Sequence, residues 1–190
     1  MKKKITSIIV LMVIFILPQQ VMATTDKYEL SYTCQQQKSN WCYAACSKST
    51  ISQYKGMSPT QKSIARYVQY GDEDDSRSPA NVGATVAQIK SVLNYWDISC
   101  SRKFNSLSLS GLKSQIADDH LIHACFRKGS TSQGHDELVF GWSDTWGDTK
   151  IGYMEPSDGD IYWEVWDDFS SGDFLGSSWS WYASIFDCTD

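Results

Sequence analysis

The chain has 190 residues, with 17 basic and 22 acidic side chains, a formal charge of −5 and an aromatic share of 13%. Three of the lysines sit in the first four residues; without them 14 basic residues face 22 acidic ones, a net −8. A chain this acidic argues against nucleic acid as a partner, because it would repel the phosphate backbone.

The first residues read as a leader. Lys2-Lys3-Lys4 is followed by an apolar run from Ile5 to Leu17, broken only by Thr6 and Ser7. That run is shorter than the roughly 20 residues needed to span a bilayer. Val21-Met22-Ala23 fits a signal-peptidase cut after Ala23, which predicts a signal peptide over 1–23 and a secreted protein over 24–190. Removing 23 of 190 residues leaves 167, a length suited to one domain with a substantial core. The residue directly after the cut is Thr24 rather than cysteine, and no second apolar run occurs. No lipid anchor or membrane association is therefore expected after cleavage, and a monomer is the expected state.

Residues 24–33 predict a short extended lead-in. A helix is expected over about 41–54, stopped by Gly56. Ser58-Pro59 reads as an N-cap with proline at the first helical position, opening a second helix with Ile64, Ala65 and Val68 on one face. GDEDDSRSPANVG (71–83) reads as a solvated acidic loop. A third helix follows over 84–95, with Val86, Ile89, Val92 and Leu93 at helical spacing, and a fourth over 106–119, with Leu112 and Ile116 inward. Five strands are then expected at 121–126, 135–142, 149–156, 161–169 and 179–186. Helices first and strands afterwards predict an α+β fold, its N-terminal helices packed on a mainly antiparallel sheet.

All six cysteines lie beyond the leader, and an exported cysteine is by default half of a disulfide. Cys42 is a different case. It opens the first helix, where unpaired backbone N–H groups and the dipole favour a thiolate. If Cys42 stays free, an odd number remains. Cys46, one turn further along the same helix, is the expected buried bystander. Cys34, Cys100, Cys125 and Cys188 would supply two disulfides, with the pairing left open. No Cys-x-x-Cys or Cys/His cluster has zinc spacing, so neither a metal nor another cofactor is expected.

A thiol nucleophile needs a base to take its proton and return it to the leaving group. His120 lies in a polar turn and reads as a surface residue; His123 reads as a core histidine. His135 follows Gly134 at the mouth of an apolar strand and is the expected base. An imidazole in that role needs an acceptor to fix its tautomer. Glu155, at the end of the next strand, is the candidate, with Asp144, Asp158 and Asp160 as rivals. Gln36, six residues before Cys42, could join the Cys42 N–H as an oxyanion donor. Trp163, Trp166, Trp179, Trp181 and Tyr182 could wall a cleft or fill the core.

Taken together, QQKSNWCYAAC (36–46), Gly134-His135 before an apolar strand with Gly141, and Tyr153-Met154-Glu155-Pro156 resemble the papain-like cysteine peptidases. The likeness is greatest to the compact bacterial branch that includes the AvrRpt2-type effector proteases, and it spans about residues 30–170. It implies a papain-like fold, with Cys42 as nucleophile, His135 as base and acid, Glu155 as third member and Gln36 as oxyanion glutamine. Two positions depart from the pattern. Tyr43 stands where the family has Trp, and Glu155 where it has Asp or Asn. The expected function is a secreted peptidase that hydrolyses a protein or peptide substrate through an acyl-thioester. Two other readings stay open: a CHAP-type cell-wall amidase, and a disulfide-stabilised binding protein on a peptidase scaffold.

Overall fold

The computed structural model describes residues 24–27, 29–145, 147–176 and 178–190; the signal peptide expected at 1–23 lies outside them. The elements in chain order are β1 (Thr24–Lys27), α1 (Cys42–Lys55), α2 (Gln61–Tyr70), α3 (Val86–Tyr95), β2 (Ser99–Lys103), α4 (Leu109–Ala117), β3 (Ile122–Lys128), β4 (Gly134–Thr145), β5 (Asp148–Met154), β6 (Ile161–Val165), α5 (Trp166–Ser171) and β7 (Trp179–Thr189). Among these residues the seven strands form one sheet in the order β2-β7-β3-β4-β5-β6, with β1 added to β4. Every pairing is antiparallel, so the class is α+β as expected.

The helices start and stop where local chemistry dictates. α1 ends at Gly56, which adopts the left-handed conformation (φ 62°) and donates to Ser52 O. α2 is capped by Thr60, whose hydroxyl accepts from Ser63 N; the expected Ser58-Pro59 start lies just outside the helix. Thr85 and Gln88 form a reciprocal capping box on α3. Ser108 caps α4 by accepting from Gly111 N. The strand expected over 161–169 is cut short. β6 ends at Val165, and Trp166-Asp167-Asp168 open α5, their acidic side chains placed in its first turn and Gly172 closing it. β2 was not expected from the sequence at all.

Alternate residues of β3 enter different cores, which is why this strand is buried without a break from Ile122 to Phe126. Cys125 packs with α1, α2 and α3 among Trp41, Ile51, Ile64, Ile89 and Leu93. Ala124 and Phe126 pack with Leu112 and Ile116 of α4 and with Tyr153, Phe169 and Trp181. Phe126 and Phe169 meet edge-on at 5.4 Å. The apolar residues singled out on α2, α3 and α4 face inward, except that Val68 is only partly covered. α1 is therefore clamped between the sheet and two helices, with its first residue at the surface end. Among the described residues no helix is long and apolar enough to cross a membrane.

Candidate active site

Cys42 is the first residue of α1, and its N-cap, Trp41, supplies no side-chain bond to the helix start. Ala44 N donates to Trp41 O (3.0 Å), and the N–H groups of Cys42 and Tyr43 are left for another acceptor. The residues before Cys42 are held elsewhere. Asn40 N donates to Asn81 Oδ1 (3.0 Å), Asn40 Nδ2 to Asn81 O (2.9 Å), and Trp41 Nε1 to Ala80 O (3.2 Å). Lys38 lies 4.5 Å over the Trp41 ring. These contacts fix the helix start and leave Cys42 9% exposed.

His135, near the start of β4, lines the same cleft as Cys42 and lies close enough for the thiol to act on its charge. Its Nε2 lies 3.1 Å from Glu155 Oε2 and 2.9 Å from Glu137 Oε1. With Nε2 turned to the carboxyls, Nδ1 is the ring nitrogen left for the thiol. Trp179 covers the ring edge-on, centroid to centroid 6.2 Å. Burial disfavours a charged imidazole, but the neighbouring Cys42 thiol and the Glu137 and Glu155 carboxyls outweigh it and hold His135 well above its ordinary pKa. Burial likewise opposes an ionised Glu155, yet its contact with His135 brings the carboxyl down to about 2. Glu137 is fully buried, and burial pushes it well above the usual carboxyl range.

The turn after β5 anchors Glu155. Ser157 N donates to Glu155 Oε1 (2.7 Å), and Glu155 N to Asp160 O (3.0 Å). The loop before α1 is tied to the same turn, because Gln36 N donates to Pro156 O (2.7 Å) and Gln35 Nε2 to Ser157 O (2.9 Å). Gln61, itself buried, clamps this loop through Gln35 O and Gln37 N. Gly159 (φ 80°) lies so close that a Cβ would sit 2.6 Å from Gln35 N.

Of the residues read from sequence, Cys42, His135 and Glu155 therefore come together. Gln36 lies in the adjoining loop, but its Nε2 donates to Ser39 O (3.1 Å), while its buried Oε1 has no partner. The rival acids are engaged elsewhere: Asp144 with Lys113 (2.7 Å), Asp158 with the Tyr162 hydroxyl (2.7 Å), and Asp160 through its carbonyl with Glu155 N. His123 is a core histidine, bonded to Asp136 Oδ2 (2.9 Å) and Thr50 Oγ1 (3.0 Å). The residue that sequence reasoning missed is Glu137. A His-x-Glu spacing on a strand places both side chains on one face, and that was the available signal.

All six cysteines are free thiols. Cys46 is wholly buried and donates to Asp136 O (3.2 Å), the expected bystander role. Cys34 donates to Ala45 O (3.3 Å) and Cys125 to Asp136 Oδ1 (3.6 Å), so these two do not face each other. Cys100 and Cys188 lie on the paired strands β2 and β7 and are buried in one cluster.

A cleft of about 650 Å³ opens onto Cys42 and His135, with Val86, Ile89, Phe104 and Tyr182 giving it apolar walls. Of the aromatic residues near the C-terminus, Tyr182 lines the cleft and Trp181 belongs to the core. His135, Glu137 and Glu155 place one ligand atom each within 4.8 Å of one another, the only such group among the described residues. A divalent cation there would have to displace the protons these groups share. No family model and no curated protein matches the chain, so the functional reading rests on the chemistry of the site.

Proposed function

We propose that the protein is a thiol hydrolase of the papain-like type, a cysteine peptidase that cleaves peptide bonds through an acyl-thioester on Cys42. The observation that carries the reading is one arrangement: Cys42 at a helix start without a side-chain cap, beside His135 in one cleft, with His135 Nε2 on the Glu155 carboxylate. In this scheme His135 takes the Cys42 proton, and sulfur attacks the substrate carbonyl. The oxyanion is met by the free N–H at the start of α1. His135 then protonates the leaving amine, and the acyl-thioester forms. A water that gives its proton to His135 attacks the thioester and releases the acid and the thiol. Glu155 holds the ring so that Nδ1 keeps facing sulfur.

The cleft of about 650 Å³ beside Cys42, with its apolar walls, has room for side chains of a bound peptide, which supports a protein or peptide substrate. The leader reading adds a secreted enzyme, a signal peptide over 1–23, one papain-like domain over 24–190 and a monomer. The test is direct. Wild type should cleave members of a peptide library under reducing conditions, and Cys42→Ala should cleave none. Activity retained in the variant would refute the assignment.

A second reading is kept for one observation, the glutamate on His135 where the peptidase pattern has Asp or Asn. CHAP-type amidases accept Glu there, which makes peptidoglycan the alternative substrate. Clearing of a cell-wall suspension without peptide cleavage would favour it.

A further inference from the structure

We propose that Glu137 is a positioning residue of the Cys42–His135–Glu155 set, donating a hydrogen bond that pins the Glu155 carboxylate onto His135 Nε2. The inference rests on the hydrolase reading above. Glu137 stands two residues after His135 on β4, on the same face. It lies opposite Glu155, one step beyond the last β4–β5 pair, Leu138–Met154. Its Oε1 is 2.9 Å from Nε2, yet neither of its oxygens accepts a hydrogen bond, because the ring hydrogen is directed at Glu155. Two carboxyls this close cannot both be ionised. The fully buried one keeps its proton, and that proton bonds Glu155. Glu155 Oε1 is already held by Ser157 N at 2.7 Å. A glutamate has one more rotatable bond than the aspartate the family pattern leads one to expect. The bonds from Ser157, His135 and Glu137 remove that freedom.

Three forms test this: wild type, Glu137→Leu and Glu137→Gln. Glutamine keeps the shape and a donor for Glu155 but cannot be a carboxylate. Glu137→Leu should lower kcat/KM about 10- to 100-fold, and Glu137→Gln should restore most of that loss. As a readout independent of turnover, 15N NMR of the His135 ring should show the same charge state across neutral pH in wild type and Glu137→Gln. In Glu137→Leu it should become titratable. Equal damage from Gln and Leu would overturn the proposal, since it would mean an ionised Glu137 is needed; so would a Leu variant indistinguishable from wild type. If Glu137→Leu does not fold, the ring spectrum of Glu137→Gln decides alone. A wild type that hydrolyses nothing yet shows the expected ring spectra would sink the hydrolase reading and leave this one standing.

A separate observation concerns the sheet edge. We infer that Cys100 and Cys188 close a disulfide between β2 and β7. The two residues lie on neighbouring antiparallel strands, around a bulge between Ser99 and Ser101, and both side chains are buried in one cluster. The neighbouring Cys188 holds Cys100 below its ordinary pKa, which favours Cys100 as the attacking thiolate. β2 is an edge strand, so local opening gives access. With oxidised glutathione, Cys100 displaces one glutathione thiol to form a mixed disulfide. Cys188 then displaces the other, and the protein has lost two hydrogens. Purified protein incubated with glutathione disulfide should yield a non-reduced peptide map joining the Cys100 and Cys188 peptides, and Cys188→Ser should not. A map joining other cysteines, or none, would overturn the inference.

Discussion

Glu155 Oε2 reaches His135 Nε2 at 3.1 Å although 20 residues separate them, because the β4–β5 hairpin folds its two ends together. The reach depends on side-chain length. Glu155→Asp shortens it by one methylene and should cost activity about 10- to 100-fold, measured as kcat/KM on the best peptide found. A variant equal to wild type would remove Glu155 from the set.

The same contact sets a pH dependence. Glu155 has a folded value of about 2 against an ordinary 4.5, so its native carboxylate is favoured. Its contribution to stability is complete above about pH 4.5 and disappears as the pH falls through about 2. Thermal unfolding followed by circular dichroism should therefore show Tm falling over that window in wild type, with a shallower fall in Glu155→Gln. Parallel curves would contradict the assignment.

Gly159 joins the Gln36 loop to the Glu155 turn. Alanine there meets two penalties, a positive φ of 80° and a Cβ 2.6 Å from Gln35 N, a backbone atom that cannot swing aside. Gly159→Ala should lower Tm by several degrees, as about 1–2 kcal/mol does in a domain of this size, and reduce kcat by loosening both loops. An unchanged Tm would show that the turn is not under this constraint.

His123 and Asp136 form a contact with side-chain exposures of 0% and 3%. Asp136→Ala strands the His123 ring and the Cys125 thiol and should cost about 3–5 kcal/mol in denaturant unfolding. Replacing both residues by leucine should cost less than the two single changes added together. Strict additivity would show that the two side chains do not interact.

Much of this arrangement was legible in the chain, and the gaps have physical reasons. Cys42, His135 and Glu155 could be read because each marks the end of an element, where glycine, proline or a change of period is visible. Glu137 could not be separated from its strand, because a buried acid beside Leu138 reads as one polar position in an alternating run. β2 stayed hidden because SCSRK carries only Cys100 inward, so no apolar alternation announces it. α5 was absorbed into the preceding strand because aromatic residues recur through IYWEVWDDF, on both sides of the boundary. Only Asp167 and Asp168, matched to a helix start, and Gly172, matched to its end, distinguish the second half. Thr60 displaced Ser58 as the cap of α2 because its hydroxyl reaches Ser63 N at 3.0 Å.

The central claim is that the Cys42 sulfur carries an acyl group during turnover. Wild type and Cys42→Ala would be mixed with a peptide library under reducing conditions, quenched in acid within seconds and weighed intact. The account predicts new peptide termini and a transient acyl adduct mapped to Cys42 in wild type, with neither in the variant. Cleavage by Cys42→Ala, or wild-type cleavage with the adduct on another cysteine, would contradict it.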